Sequence, residues 1–358
     1  MTGESLIYGL INKIKIMIEK ETKYSYRDLF IKPTDITGVR HRSECILPEV
    51  LPLFTAPMDS VVCKENYQDW KENGIIPILP RTFSLKERLE MGPLNWIALG
   101  LEEFETTELP EGQHVLIDIA NGHMKALYDA VKEAKLKDPS LVIMVGNIAN
   151  PETFLVAEEA GVDYIRVGIG AGQGCITASN VSVSYPMASL VNECYRIKKF
   201  HGLKVRIVAD GGVRNYSDAI KALALGADYV MIGSVFAKML ESAGKFHRFQ
   251  LPNVIREGDM ETYNIKPDFT LGGERLEKIF YGMASRQGQI AMNGSKTKTS
   301  EGIMKLLPVE YTMRSWVNNF RDYLRSAMSY TGHKRLQDFI GEPTLIVASP
   351  LAVESINR

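Results

Sequence analysis

The sequence predicts an α/β fold, a single (β/α)8 TIM barrel spanning residues 1–358, with an insertion after strand eight and a flap near the C-terminal mouth. Three observations predict it. Eight short apolar runs rich in β-branched residues recur along the chain, amphipathic helical patterns separate most of them, and glycines end the last three runs. Runs that are apolar throughout suit strands buried on both faces, as parallel strands are when helices cover the sheet. Eight strands in β–α alternation favour a closed barrel, with an open doubly wound sheet as the alternative.

Taken in order, Leu6 to Ile18 is apolar but interrupted by Asn12, Lys13 and Lys15 and has no small-residue cleavage site, so it reads as an amphipathic helix rather than a signal peptide. The expected strands are Leu53 to Ala56, Ile75 to Leu79, Trp96 to Leu99, Val115 to Ile119, Leu141 to Val145, Tyr164 to Ile169, Val205 to Ala209 and Tyr229 to Ile232. Met124 to Lys135, Pro151 to Ala160, Leu190 to Phe200 and Ser217 to Leu225 carry helical periodicity. The connection Glu102 to His114 is acidic and short, so its helix is expected to be reduced or missing. Glu241 to Lys278 is a long stretch of mixed polarity after the last strand; in a barrel it lies beside the mouth built by the βα loops, either as part of the site or as a surface insertion. No sequence repeat or low-complexity linker requires a second domain.

Composition excludes several partners. The 358 residues are 45% hydrophobic and 24% charged, with a net charge of −1, so nothing electrostatic draws the chain to nucleic acid or an anionic membrane. Lys296 and Lys298 sit close together, but acidic neighbours offset them. No apolar run approaches the roughly 18 residues of a membrane span. The four cysteines, Cys45, Cys63, Cys175 and Cys194, form no CxxC pair and no metal-ligand spacing. These features favour a reducing cytoplasm.

The chemistry is expected at the mouth. Strand six runs into Gly168-Ile-Gly-Ala-Gly-Gln-Gly-Cys-Ile-Thr177, strand seven into Asp210-Gly211-Gly212 and strand eight into Gly233-Ser234. Glycine lets backbone N–H groups converge on an anion, and barrels often bind phosphate with the loops after strands seven and eight. Tight corners alone account for any one of these glycines, but three strand ends at one mouth point to a phosphate. The strand-six loop is not a dinucleotide fingerprint, because Gln173 stands where the third glycine belongs and a polar loop follows. Cys45, Cys63 and Cys194 read as small buried hydrophobes. Cys175, inside the glycine loop, reads as a nucleophile, with Thr177 near enough to orient or protonate a reacting group. Asp210 suits sugar hydroxyls or, alternatively, caps its own turn. Lys296 to Gly302 looks like a flap carrying one carboxylate, Glu301.

At these residues the chain resembles the IMP dehydrogenase/GMP reductase family. The likeness rests on the loop from Val167 to Thr177 and on Tyr26-Arg-Asp-Leu-Phe30, Ala56-Pro-Met-Asp-Ser60, Ala209-Asp-Gly-Gly212, Tyr281-Gly-Met283, Ser300-Glu-Gly302 and Ser329-Tyr-Thr-Gly332, which together cover nearly the whole chain. Within the family, Asp118-Ile-Ala-Asn-Gly122 and Met144-Val-Gly-Asn147 look like the reductase branch. The segment between Met283 and Glu301 lacks the Arg-Tyr pair with which dehydrogenases activate water, and there is no inserted regulatory domain. A dehydrogenase without that domain, or a relative acting on another purine nucleotide or deoxynucleotide, is the alternative. A nucleotide-binding barrel without catalysis needs none of Cys175, Thr177 and Glu301.

The resemblance implies a homotetrameric barrel in which Cys175 attacks carbon 2 of GMP, ammonia leaves, and NADPH reduces the covalent purine intermediate to IMP. It implies that Thr177 and Glu301 assist ammonia departure, a proton transfer worth about 10²–10⁴-fold. It places Asp210 at the ribose hydroxyls, Gly212, Gly233, Ser234 and Tyr281 around the phosphate and Met283 at the base, and it counts Met58, Gly174, Gly211 and Gly282 among the other substrate-binding residues. Asp118, Ala120, Asn147, Gly168 and Gly170 match the nicotinamide side, and the carbonyls of Gly170, Gly172 and Cys175 match a site for a monovalent cation, K+. This chain departs from the family pattern at Ala171, at Gln173-Gly174, at Ala178 and at Pro80-Arg81.

Overall fold

The structure, a computed structural model, describes residues 21–294 and 298–356, so the helix expected at Leu6 to Ile18 and the first residues of the flap, Lys296 among them, lie outside the described residues. The barrel strands are β1 (Leu53–Thr55), β2 (Ile78–Leu79), β3 (Trp96–Leu99), β4 (His114–Asp118), β5 (Val142–Ile148), β6 (Tyr164–Val167), β7 (Arg206–Asp210) and β8 (Tyr229–Ile232). All neighbours from β2 through β8 pair in parallel, and β8 pairs with β1. The ring closes through a bridge between Phe54 and Ile76, where Ile76 N donates to Leu53 O at 2.9 Å and Thr55 N to Ile76 O at 3.0 Å. The expected fold class is therefore borne out, and the open sheet is excluded.

The strands differ from the expected runs for local reasons. Ile75 to Leu79 is cut at Pro77, which has no N–H to give to a ladder; beyond it, Ile78 N turns to the Thr55 hydroxyl at 3.0 Å. The helix after β3 is indeed reduced, to Leu101–Thr106. The helices expected after β4, β5, β6 and β7 are Lys125–Lys137, Thr153–Glu159, Met187–His201 and Tyr216–Ala224.

Successive side chains on a strand point to opposite faces, so each barrel strand contributes alternately inward and outward. The outward residues Ile117, Ile165, Val167, Ile207 and Ala209 pack with the helices in one large core. The inward residues form layers. At the base, Phe54, Trp96, Tyr164 and Tyr229 meet edge to face or tilted, with Phe54–Trp96 centroids at 5.4 Å and Trp96–Tyr164 at 5.3 Å. Leu116, Met144, Val208 and Met231 lie in the same inner cluster. One step further along the same strands come Asp118, Gly146, Arg166 and Asp210. The alternation that builds the apolar plug thus delivers the charged residues to the mouth.

The stretch after β8 has a small apolar core of its own, with Leu240, Phe246, Ile255, Ile265, Leu276 and Val309 buried together. It is tied to the mouth, since Gly244 N donates to Ser60 O at 3.0 Å and Ala243 N to Val61 O at 3.2 Å in the loop after β1. Lys278 is buried there, its ammonium donating to Leu240 O at 2.7 Å and Ser242 O at 2.5 Å; burial pulls its pKa down to about 7. The insertion then enters an antiparallel ribbon of β9 (Glu277–Tyr281) and β10 (Met304–Pro308), whose connecting segment carries Met283, helix Arg286–Asn293 and the flap. Helix Met313–Tyr330 closes the barrel wall, with Trp316 edge-on to Phe236 at 5.0 Å.

Candidate active site

Two segments far apart in sequence form one strip of backbone pairing at the mouth. The loop after β6 and the flap meet in an antiparallel bridge between Cys175 and Gly302. Ile176 N donates to Glu301 O at 2.9 Å, Ile303 N to Gly174 O at 3.0 Å, and Glu301 N to Ala284 O at 3.1 Å. These main-chain bonds fix where three side chains point. The Cys175 thiol donates to Thr177 Oγ1 at 3.2 Å, and the Thr177 hydroxyl donates to Glu301 Oε2 at 2.8 Å. Thr177 begins the short helix Thr177–Val181, so its hydroxyl is set by the turn that follows the thiol. All three side chains are half-buried rather than sealed in the core. The arrangement leads a proton from sulfur through a hydroxyl to a carboxylate, which is what a thiol that must ionise and a leaving group that must be protonated require.

The glycines bring the mouth loops into contact. Gly168 has φ +133°, and a Cβ there would lie 2.1 Å from Asp210 O; Gly170 has φ +77° against Ala178. Gly212 N donates to Ala171 O at 3.1 Å, which joins the loops after β6 and β7. Met58, in the loop after β1, has its sulfur 3.3 Å from where a Cβ on Gly233 would stand. Ser234 starts the short helix Ser234–Ala237. Tyr281 donates its hydroxyl to Asp59 Oδ2 at 2.6 Å, and Met283 follows one residue after Gly282.

Gly174 and Gly282 pass each other with no room for a side chain. A Cβ on Gly282 would sit 2.5 Å from Gly174 O, and one on Gly174 would sit 3.0 Å from Gly282 N. Gly174 is therefore a backbone-pairing position as well as a neighbour of the Tyr281 to Met283 segment. Gly282→Ala is expected to lower turnover by at least about tenfold, because a displacement of even 1 Å at a reacting centre can cost about 100-fold. Steady-state rates beside a thermal midpoint check it, and an unchanged rate would show that this close approach is dispensable.

At the centre of the mouth the charges are linked. The buried Arg166 guanidinium pairs with Asp118 and lies 3.6 Å, through Nε, from Asp210 Oδ2. Asn147 Nδ2 donates to Asp210 Oδ2 at 2.7 Å and to Gly168 O at 2.8 Å. Burial raises the Asp210 pKa above the ordinary carboxylate value; Arg166 and Asn147 oppose the rise and Asp118 adds to it. Arg81 Nη1 donates to Asp118 O at 3.2 Å. Ala120 is exposed just beyond, and Gly122 N donates to Asn147 O at 2.8 Å.

The residues expected at the site thus lie at the C-terminal ends of β4, β5, β7 and β9, on the loops after β1 and β4 to β8, and on the segment joining β9 to β10. Gly172 O accepts from Cys175 N at 3.1 Å, so of the three carbonyls proposed for a cation one already has a backbone partner. Among the described residues no cluster of three His, Cys, Asp or Glu side chains could hold a metal ion. None of the four cysteines is in a disulfide, and Cys45, Cys63 and Cys194 are buried. A groove of about 840 Å3 on the outer flank, lined by Pro151, Tyr185, Tyr195, Phe200 and their neighbours, includes none of the expected site residues. Sequence reasoning did not single out Arg166, Asp59 or Arg81 for the site. For Arg166 a signal existed: a lone cation in a strand otherwise apolar on both faces needs an anion inside the barrel.

Comparison with known proteins gives a consistent picture. A family model described as the IMP dehydrogenase / GMP reductase domain matches residues 109–355. The chain is 27% identical to GMP reductase of Onchocerca volvulus over 92% of each chain. It is 27% identical to GMP reductase 2 of Homo sapiens, covering 92% of this chain and 95% of that one. It is also 27% identical to GMP reductase of Vibrio atlanticus, covering 92% and 96%.

Proposed function

The chain belongs to the IMP dehydrogenase/GMP reductase family, and on that premise we propose that it is a GMP reductase, an oxidoreductase converting GMP to IMP and ammonia at the expense of NADPH. The observation that carries the reading is the hydrogen-bonded series Cys175–Thr177–Glu301, in which the Thr177–Glu301 link spans 124 residues of sequence to join a nucleophile to a proton acceptor. A binding barrel has no use for it.

The first half of the reaction substitutes sulfur for the amine. The Cys175 sulfur bonds to carbon 2 of the purine, the bond from carbon 2 to the exocyclic nitrogen breaks, and the thiol proton travels through Thr177 and Glu301 to leave with ammonia. Asp210 accepts from the sugar hydroxyls with the oxygen that Asn147 does not occupy. The phosphate lies among Gly211, Gly212, Gly233, Ser234, Gly174 and the Tyr281–Gly282 segment, where close glycine approaches favour backbone donors. Met58 and Met283 pack on the base.

The residues on the cofactor side suit a nicotinamide, because the half-buried Asp118 leaves part of its carboxylate at the mouth beside Asn147 and Gly168. Asp118, Ala120, Asn147, Gly168 and Gly170 would hold NADPH, which would supply the hydride that takes the place of sulfur on carbon 2 and releases Cys175 as the thiolate. A preorganised carboxylate there stabilises the positive charge that develops on the ring. The carbonyls of Gly170, Gly172 and Cys175 would hold K+, which would order the catalytic loop and take no part in bond making.

The free cysteines and a cofactor of reducing compartments support a cytoplasmic enzyme, and the family's habit supports a homotetramer. Among the described residues no helix is long and apolar enough to cross a membrane. The test is direct. Purified protein with GMP is expected to oxidise NADPH and release one ammonia per NADPH, with far weaker reduction of NAD by IMP. Brisk IMP-dependent NADH formation without any GMP reaction would move the chain to the dehydrogenase side.

A further inference from the structure

Arg166 stands where the barrel interior changes from apolar to charged. Tyr164 and Arg166 share the inward face of β6, and Gly146, opposite Arg166 in the β5–β6 register, makes room for it. A Cβ at Gly146 would lie 2.5 Å from the Arg166 Cβ. The guanidinium pairs with Asp118 through Nη2, which is also 3.4 Å from Gly146 O, while Nη1 is 3.7 Å from Met231 Sδ. Among the described residues its Nε has no hydrogen-bond partner and lies 3.6 Å from Asp210 Oδ2, although only 5% of the side chain is exposed.

A buried guanidinium with an unbonded N–H is a costly way to fill space. The adjoining inner cluster is filled by Met144 and Met231, so an apolar side chain would satisfy packing. The cost acquires a reason from the two carboxylates. Without a cation between them, Asp118 and Asp210 would share a poorly solvated region with Asn147 as the donor on Asp210, and like charges so placed repel. A forked guanidinium addresses two acceptors at once, whereas an ammonium is a single point charge.

We propose that Arg166 is a positioning residue that holds Asp210 for the substrate sugar and Asp118 for the cofactor at the same time, so that one buried group aligns the two halves of the site. The inference rests on the functional reading above, which assigns those carboxylates to the two ligands.

The experiment compares Arg166→Met and Arg166→Lys with wild type in full-length protein. It measures the KM for GMP and kcat at saturating NADPH, the GMP affinity by calorimetry, and the folded fraction by thermal midpoint and Cys175 alkylation. Arg166→Met is expected to raise the KM for GMP and lower kcat, each by at least about tenfold, since misplacement acts on both ligands. Arg166→Lys is expected to recover most of the loss in KM but less of the loss in kcat. In the Asp210→Asn background, Arg166→Met is expected to raise the KM for GMP by much less than in wild type, because coupled residues are not additive. A folded Arg166→Met enzyme within twofold of wild type in both constants overturns the proposal. So does a lowered thermal midpoint with unchanged KM, or a double variant that loses the full product of the single effects. Wild-type turnover of GMP tests the functional reading by itself, while the ratio of variant to wild type tests Arg166.

Discussion

Cys175→Ala is expected to reduce turnover by at least about 10⁴-fold, the scale seen when a covalent nucleophile is removed, while GMP affinity stays within about threefold. The sulfur forms and later releases the bond to carbon 2, so no neighbouring group substitutes for it. Ground-state binding resides elsewhere, on Asp210, the glycines after β7 and β8 and the Tyr281–Met283 segment. Alanine also leaves the loop intact, because that loop is held by main-chain bonds, Cys175 N to Gly172 O and Ile176 N to Glu301 O. Rates, calorimetric affinity and intact-protein mass after mixing with GMP measure the outcome. Turnover above one part in a hundred in a sequence-verified preparation would falsify the covalent route.

Glu301→Gln is expected to slow ammonia release in a single turnover by about 10²-fold, within the range for a positioned proton-transfer group, with a much smaller change in affinity. The amide still accepts from the Thr177 hydroxyl but cannot take up a proton. The flap itself should not move, since Glu301 holds it through its backbone N–H to Ala284 O and its carbonyl from Ile176 N. Thr177→Ala, which breaks the same series in the middle, should give a comparable loss, and Thr177→Ser should restore most of the rate. Were Glu301 only a flap anchor, affinity and rate would fall together. Release of ammonia at the wild-type rate by Glu301→Gln would remove the carboxylate from the mechanism.

Much of this was legible in the sequence because it is encoded locally. Apolar runs with β-branched residues mark strands wherever both faces are buried, and β3, β6 and β8 fall within one or two residues of the runs at Trp96, Tyr164 and Tyr229. The glycine loop and its cysteine are contiguous, so their chemistry can be read from neighbours. The acidic connection after β3 announced its short helix in the same way. Pro77 also carries a local signal, but the apolar run from Ile75 to Leu79 masks its missing N–H unless the ladder is considered bond by bond.

Other features depend on distance in space. Tyr164 to Ile169 looked like one apolar run with an arginine in it, and period-two alternation alone does not say which anions that arginine meets. Parallel register decides that, by setting Asp118 and Arg166 on either side of Gly146 and Asp210 one inward position beyond Val208, the partner of Arg166. The flap carboxylate is legible in the sequence and its role follows from the resemblance, but its hydrogen bond to Thr177 exists only because Gly174 and Gly282 let two backbones pass closely. The insertion after β8 showed only length and mixed polarity, and its small core forms when Leu240, Leu276 and Val309 converge. By itself the sequence determined the barrel class and the residues of the catalytic loop, because strand periodicity and loop chemistry are properties of adjacent residues. The tertiary structure alone decided the closure of β1 on Ile76, the shared guanidinium and the path from Cys175 to Glu301, because pairing register and backbone approach arise between segments that no local pattern connects.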